Sequence, residues 1–369
     1  MKTLRLVSIV GAVALVVSAC SSSGSGSPAA SAAGSAAASA AASTAASPAA
    51  SAAASAEASA GASAEASAGA STAAGGGKAA GAYIPIVSKG FQHQFWQAVK
   101  KGAEQQAAKD GVKVNFEGPE NESQVDKQME MLQSEFDKHP AAVCFAALDS
   151  KAANPLLQKF KDANIPVIGF DSGVDSDIPV TTAATDNIKA AGMAADKLGE
   201  AIGGSGKVGV IVHDQTSRTG IDRRDGFINE MKAKYPNVEI VGPQYGGGDQ
   251  LKSADLAKTM IQGNPDIKGF FGANEGSAIG VVNAVNELNM KGKLTVVGYD
   301  SGKAQIDAIN SGLMLGAITQ NPIGIGEQCV SAAVKSINGE SVPKTIDTGF
   351  FWYDKSNINN PEIQAVLYQ

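Results

Sequence analysis

The chain writes one heptapeptide twice, VIGFDSG at Val167 to Gly173 and VVGYDSG at Val296 to Gly302. Each copy runs apolar or small residues into an aromatic, an Asp and a Ser-Gly turn, the pattern of a strand buried on both faces that ends at a carboxylate. In an open parallel sheet the ligand crevice lies outside the carboxyl ends of the strands, so Asp171 and Asp300 are each expected at the binding edge of a sheet. The surroundings are doubled too. CFAALDSKAANPL (Cys144 to Leu156) precedes the first copy and FFGANEGSAIGVV (Phe270 to Val282) the second, each reading as a buried strand, a polar tip (Asp149, Asn274) and a helix of small residues. Repetition of a whole βαβ unit implies two similar lobes, with Asp171 and Asp300 facing each other across one cleft.

Away from the repeat, strands and helices alternate. A strand at Tyr83 to Val87 leads to a helix at about Phe91 to Lys109, a strand at Val112 to Phe116, a helix at Ser123 to Lys138, a strand at Ala142 to Ala147 and a helix at Lys151 to Ala163. After a joining stretch through Thr185 the order returns, closing with a helix at Ile323 to Ile337 and the aromatic run Phe350-Phe351-Trp352-Tyr353, read as lobe packing or hinge cover. Gly111, Pro140 and Pro166 punctuate the helix ends. Such alternation specifies an α/β chain whose parallel sheets are covered on both faces. Each strand-end Asp also stands before an expected helix start, where it would serve as a cap.

Of the 369 residues, the first eighty or so lack the side chains to form a core. The remainder exceeds the size at which one core usually divides. A net charge of -6, with 18% charged residues and no Lys or Arg cluster, argues against a nucleic-acid partner and for a small, uncharged ligand. The 3 His (His93, His139, His213) are not spaced as a metal pair, and there is no G-x-S-x-G elbow. Gly204 to Gly209 matches G-x-G-x-x-G but precedes a strand, where a dinucleotide site follows one. No metal, cofactor or catalysis is expected. Two carboxylates across a cleft raise glycoside hydrolysis as an alternative; it needs one acid raised in pKa by an apolar pocket, and the polar company of both copies argues against that. Cys144 in an apolar strand and Cys329 on a helix leave a bridge open, with two buried thiols the favoured reading.

Met1 to Cys20 carries Lys2 and Arg5, an apolar run from Leu6 to Val17, then Val17-Ser18-Ala19-Cys20, and reads as a secretory signal. Its last four residues resemble the lipobox of bacterial lipoproteins, which implies cleavage before Cys20, acylation of its thiol and anchorage at the outer face of the cytoplasmic membrane. Residues 21–80, nearly all Ala, Ser, Gly and Thr, read as a disordered tether.

Six phrases in one order, SKGFQHQFWQAVKKGAE, IPVIGFDSG, RRDGF, GANEGSAIG, VVGYDSG and AITQNPIGIG, resemble the type I periplasmic sugar-binding proteins of bacterial ABC transporters, nearest the ribose-binding branch. The likeness runs from about Tyr83 to the C-terminus. It implies two doubly wound parallel-sheet lobes joined by three crossings, lobe one at 81–183 plus 321–345 and lobe two at 184–320 plus 346–369. It also implies an extracytoplasmic monomer that captures a monosaccharide or polyol and delivers it to a permease. A ligand sensor docking on a chemotaxis or kinase receptor would use the same cleft. A DNA-binding repressor shares the fold, but the export signal and the missing helix-turn-helix exclude it.

Carried over position by position, the family's stacking aromatics fall on Phe95 and Trp96, its lobe-one carboxylate on Asp171, its lobe-two arginine on Arg223, and its lobe-two polar partners on Asn274, Asp300 and Gln320. The chemistry of these residues agrees: an aromatic ring packs on the C–H face of a sugar, while carboxylate, amide and guanidinium groups meet vicinal hydroxyls two at a time. His93, in the loop before the aromatics, and Arg218, after a strand, join them as candidates. Of Arg223 and Arg224, one is expected only at the surface. The chain also departs from the ribose binders. It has Gln92-His93-Gln94 in place of an amide-and-proline turn, Ser172 in place of an Arg, no Asn near Ala146, and Gly246-Gly247-Gly248 in place of an aromatic. These changes point to a different or larger sugar, a polyol or a modified pentose. FEGPENE and FDSGVDSD are similar to autoinducer-2- and rhamnose-binding relatives and keep those ligands in view.

Overall fold

The computed structural model describes residues 77–368. The expected signal and Cys20 lie outside the described residues, as does most of the expected tether. In chain order the first lobe comprises β1 (Tyr83–Val87), α1 (Gln94–Asp110), β2 (Lys113–Glu117), α2 (Val125–Asp137), β3 (Val143–Phe145), α3 (Asn154–Asp162), β4 (Val167–Phe170) and β5 (Thr181–Ala184). The second follows with α4 (Asn187–Ala201), β6 (Ser205–Val212), α5 (Arg218–Lys234), β7 (Asn237–Tyr245), α6 (Gln250–Gly263), β8 (Ile267–Gly272), α7 (Glu275–Glu287), β9 (Thr295–Tyr299), α8 (Lys303–Ser311) and β10 (Gly316–Gln320). The chain then returns to lobe one for α9 (Pro322–Asn338) and β11 (Thr345–Asp347), and crosses again to β12 (Phe350–Asp354) and α10 (Pro361–Gln364).

The two sheets are copies. One runs β11-β5-β4-β3-β1-β2 and the other β12-β10-β9-β8-β6-β7, so each carries the 2-1-3-4-5 order of a doubly wound fold plus one further edge strand. The edge strand β12 pairs antiparallel with β10; every other strand pair described is parallel. The aromatic run at Phe350 is therefore a strand of the second sheet, and Trp352 and Tyr353 are buried in that lobe's core, the packing role of the two expected. The short strands β5 and β11, which the pattern of apolar residues does not announce, pair with each other at the edge of the first sheet. Residues 77–80 also depart from the expected tether: Ala79 is buried in the lobe-one core and its amide donates to Asn338 Oδ1 at 3.1 Å.

Each sheet has a core on both faces. In lobe one Ile84, Ile86, Ile168 and Phe170 meet α1 and α9, while Val143, Phe145 and Val167 meet α2 and α3. Helices α1 and α9 come close because glycines face backbone: a Cβ on Gly102 would stand 2.0 Å from Ile323 O, and one on Gly326 2.1 Å from Val99 O. Cys144 of β3 and Cys329 of α9 form a disulfide, their Cα atoms 6.2 Å apart. It joins the two separated segments of lobe one, so the favoured reading of two free buried thiols is corrected. Neither Cys is exposed.

Candidate functional site

The doubled heptapeptide becomes β4 with Asp171 at its tip and β9 with Asp300 at its tip. Both aspartates take left-handed backbone, φ 54° and 80°, a conformation that Asp tolerates better than most non-glycine residues. Both amides donate to the neighbouring strand, Asp171 to Ala183 O at 2.9 Å and Asp300 to Ile318 O at 2.6 Å. Neither is the expected helix cap: Asp171 leads to β5 and not to a helix, and Asp300 does not cap α8. α8 starts after Gly302, and the Asp300 carboxylate accepts instead from the Glu275 amide at the start of α7.

The lobes close on a shared cavity. Lobe one contributes Lys89 after β1, His93, Phe95 and Trp96 at the start of α1, Glu122 before α2 and Asp171; lobe two contributes His213 after β6, Thr219 and Arg223 one turn apart on α5, Asn274 after β8, Asp300 and Gln320. Of the residues singled out in the sequence, His93, Phe95, Trp96, Asp171, Arg223, Asn274, Asp300 and Gln320 meet here. Arg218 does not. It is partly exposed at the seam between lobes, where it pairs with Asp175 and Asp222, so its assignment to the cavity is corrected. Lys89, Glu122, His213 and Thr219 were not anticipated. Lys89 and His213 follow buried strands as Asp171 does, and the same rule would have found them.

Every polar side chain but one is bonded to protein through at least one atom, with His93 Nδ1, His213 Nδ1 and Gln320 Oε1 left unpartnered. Arg223 lies over the Tyr299 ring, 3.8 Å from its centroid, and donates through Nε to Asn187 Oδ1 at 2.7 Å and through Nη1 to Ala273 O at 3.0 Å. Asp300 accepts from Gln320 Nε2 at 2.7 Å, which leaves Gln320 Oε1 buried and unpartnered. Asn274 caps α7 through Oδ1 and turns Nδ2 toward His93 Nε2, 3.4 Å away. Trp96 stands edge-on to Phe95 and Phe170 and donates its indole N–H to Glu122 Oε1 at 2.8 Å. Lys89 Nζ is 3.5 Å from Glu122 Oε2 and reaches across the seam to Thr219 Oγ1 at 3.0 Å. Asp171 is the exception: its carboxylate has no hydrogen-bond partner among the described residues and is 5% exposed.

The charges follow from these contacts. Burial works against ionised Glu122, but Lys89, His93, His213 and the indole bond win and bring it down to about 2. Burial likewise opposes the Lys89 charge, which Glu122 and then Asp214 and Asp171 hold raised. Burial lowers His93 and takes His213 well down, so both rings are neutral at pH 7. At 4.0 Å from Glu122 and Glu275, a neutral His93 forms no ion pair. Burial lifts Asp171 to about 6 despite Lys89 and Arg223. The expectation that neither acid would be raised is therefore wrong for Asp171. Asp300, its counterpart, is committed to Gln320 and the Glu275 amide. Among the described residues no group of three or more His, Cys, Asp or Glu could hold a metal ion.

The rim departs from expectation as well. Gln92 Nε2 donates to Gly248 O at 3.3 Å and lies 2.9 Å from His93 Nε2, so side chains from lobe one stand against the glycine run. The room beside Gly248 is taken by these side chains: a Cβ there would stand 2.9 Å from Gln92 Nε2 and 3.3 Å from His93 Nε2.

Two α/β lobes clasping one polar, aromatic-walled cavity at the ends of their strands define a solute-binding protein of the hinged, two-lobed kind. The chain belongs to the periplasmic binding protein domain family, whose pattern it matches over residues 84–341. It is 29% identical over 259 residues to the D-allose-binding periplasmic protein of Escherichia coli K12, covering 67% of this chain and 82% of that one. It is 28% identical over 252 residues to the ribose import binding protein of Bacillus subtilis 168, covering 68% and 80%. The crystal structure of an ABC transporter solute binding protein from Agrobacterium vitis with bound D-fucose superposes with a TM-score of 0.76 at 31% identity, over 78% of this chain and 100% of that one.

Proposed function

We propose that the chain is an extracytoplasmic binding protein that clasps one neutral monosaccharide or small polyol and presents it to the permease of an ABC transporter, held to the membrane by a lipid on Cys20. The reading rests on one observation above the rest: a cavity lined by both lobes, in which an unpartnered Asp171 carboxylate faces Arg223, Asn274 and Gln320 beside Phe95 and Trp96. Hydroxyl groups satisfy such acceptors and donors in pairs, and the aromatic edges suit the C–H face of the ring. A ligand that bonds to both lobes favours their closed arrangement by its differential affinity for it. The relatives that bind allose, ribose and fucose support a sugar as ligand.

The test is a thermal-shift panel of pentoses, hexoses and polyols on the full chain, where a ligand at a hundredfold its Kd adds about 2.7 kcal/mol of stability. A panel in which nothing shifts the melt overturns the reading, and so does turnover of a disaccharide. Metabolic labelling with a fatty acid, lost on Cys20→Ser, tests the anchor.

A further inference from the structure

Two helices that meet at the seam each begin with an amide, Gln94 in α1 and Lys303 in α8, that no side chain of its own lobe accepts from, although Gln305 of α8 does accept from the Gly302 amide at 3.3 Å. His93, before α1, has extended backbone suited to capping (φ -108°, ψ 146°), yet its ring makes no bond to the helix. The residue before α8 is Gly302, which has no side chain to offer. In both cases the acceptor comes from the other lobe. Glu275 Oε1, on the first residue of α7, accepts from the Gln94 amide at 3.3 Å. Gln94 Oε1, on the first residue of α1, accepts from the Lys303 amide at 2.8 Å. Gln94 thus gives its backbone to one bond and its side chain to the other. Gly302 adopts φ -63°, open to any residue, so its lack of a side chain has another cause: a Cβ would stand 3.0 Å from both Gln94 Oε1 and the Glu275 carboxyl carbon.

We propose that Gln94 and Glu275 form a latch of exchanged helix caps that is made only when the lobes come together, and that sets the closing equilibrium, and with it ligand affinity, without touching the ligand. The inference rests on the hinged binding function proposed above. Neither side chain lines the cavity. When the lobes part, water takes over the first-turn amides, so losing a cap weakens the closed arrangement and leaves the open one as it was.

Hydrogen exchange on the full chain, alone and with D-allose, D-ribose and D-fucose, tests this across the seam. The Gln94 and Lys303 amides should be protected in the wild type. Glu275→Ala should expose the Gln94 amide, Gln94→Ala the Lys303 amide, and Glu275→Gln, which keeps an acceptor, should restore protection. Each alanine variant should weaken the binding of whichever sugar shifts the melt by roughly fivefold, the size of a typical cap, with the sugar-free melting temperature unchanged. Free exchange of both amides in the wild type under every condition overturns the latch, as does a fall in the sugar-free melting temperature as large as the loss in binding. If no sugar shifts the melt while the crossed loss of protection holds, the ligand reading fails and the latch stands.

Discussion

Asp171 and Asp300 occupy the same point of two copied units, with the same left-handed backbone, and yet only Asp300 has its carboxylate bonded to protein, through Gln320 and the Glu275 amide. The repeat has produced one aspartate that builds the wall and one that faces the cavity unpaired. Asp171→Asn should therefore weaken sugar binding by one to two orders of magnitude, the worth of hydrogen bonds to a charged acceptor, with the sugar-free melt little changed. Calorimetric titration alongside thermal melts checks both halves of the statement.

Lys89 and Glu122 form a buried pair that also reaches Thr219 of the other lobe. Removing one partner strands the other. Lys89→Met should cost about 3 kcal/mol of stability, and the double change Lys89→Met with Glu122→Gln should recover most of it. Urea denaturation of the single and double variants reads the coupling, and additive losses would count against the pair.

Titration of Glu275 gives closure a pH dependence. Burial and Asp300 raise this carboxyl to about 8, against an ordinary value of 4.5. His93 beside it is neutral, Glu122 is ionised throughout, and burial takes Tyr353 and Tyr368 well up. The closed arrangement therefore binds a proton that the open one does not. A raised group stabilises below its ordinary pKa and loses that contribution as pH climbs through the raised value. Between pH 7 and 9, where Asp171 is already ionised, affinity should fall about tenfold, and Glu275→Gln should flatten the curve. Titrations at five pH values settle it.

The disulfide joins residues 185 apart in sequence and is buried in lobe one, away from the cavity. Its removal by Cys144→Ala with Cys329→Ala should cost about 2–5 kcal/mol of folding stability while sugar affinity holds. Denaturation midpoints and one calorimetric titration are enough to check it.

Strand-end aspartates and helix-start aromatics were legible because a buried parallel strand writes its end locally, as apolar residues stopping at a polar one. Lys89 and His213 carry the same mark and were passed over. Glu122 sits in a loop and enters the site only through Lys89 and Trp96, which no local pattern encodes. Arg218 is a candidate only by its place after a strand, and helix periodicity puts Thr219 and Arg223 on the cavity face and turns Arg218 to the seam. The strands Thr181–Ala184 and Thr345–Asp347 are short and, apart from Ile346, built of small or polar residues; they are strands only because they pair. Exchange of caps between lobes and the pairing of Cys144 with Cys329 are facts of tertiary proximity, invisible at separations above 180 residues.

The return of the chain to its first lobe has a consequence for how the molecule is assembled. A polypeptide emerging N-terminus first delivers every strand of the second sheet except its edge before α9 exists to cover the first. The second lobe is thus nearly complete while the first still lacks one of the helices on its sheet, and Cys329 and β11 must arrive before the disulfide and the last crossing can form. Any factor that shields nascent chains has its longest task at the segment made first.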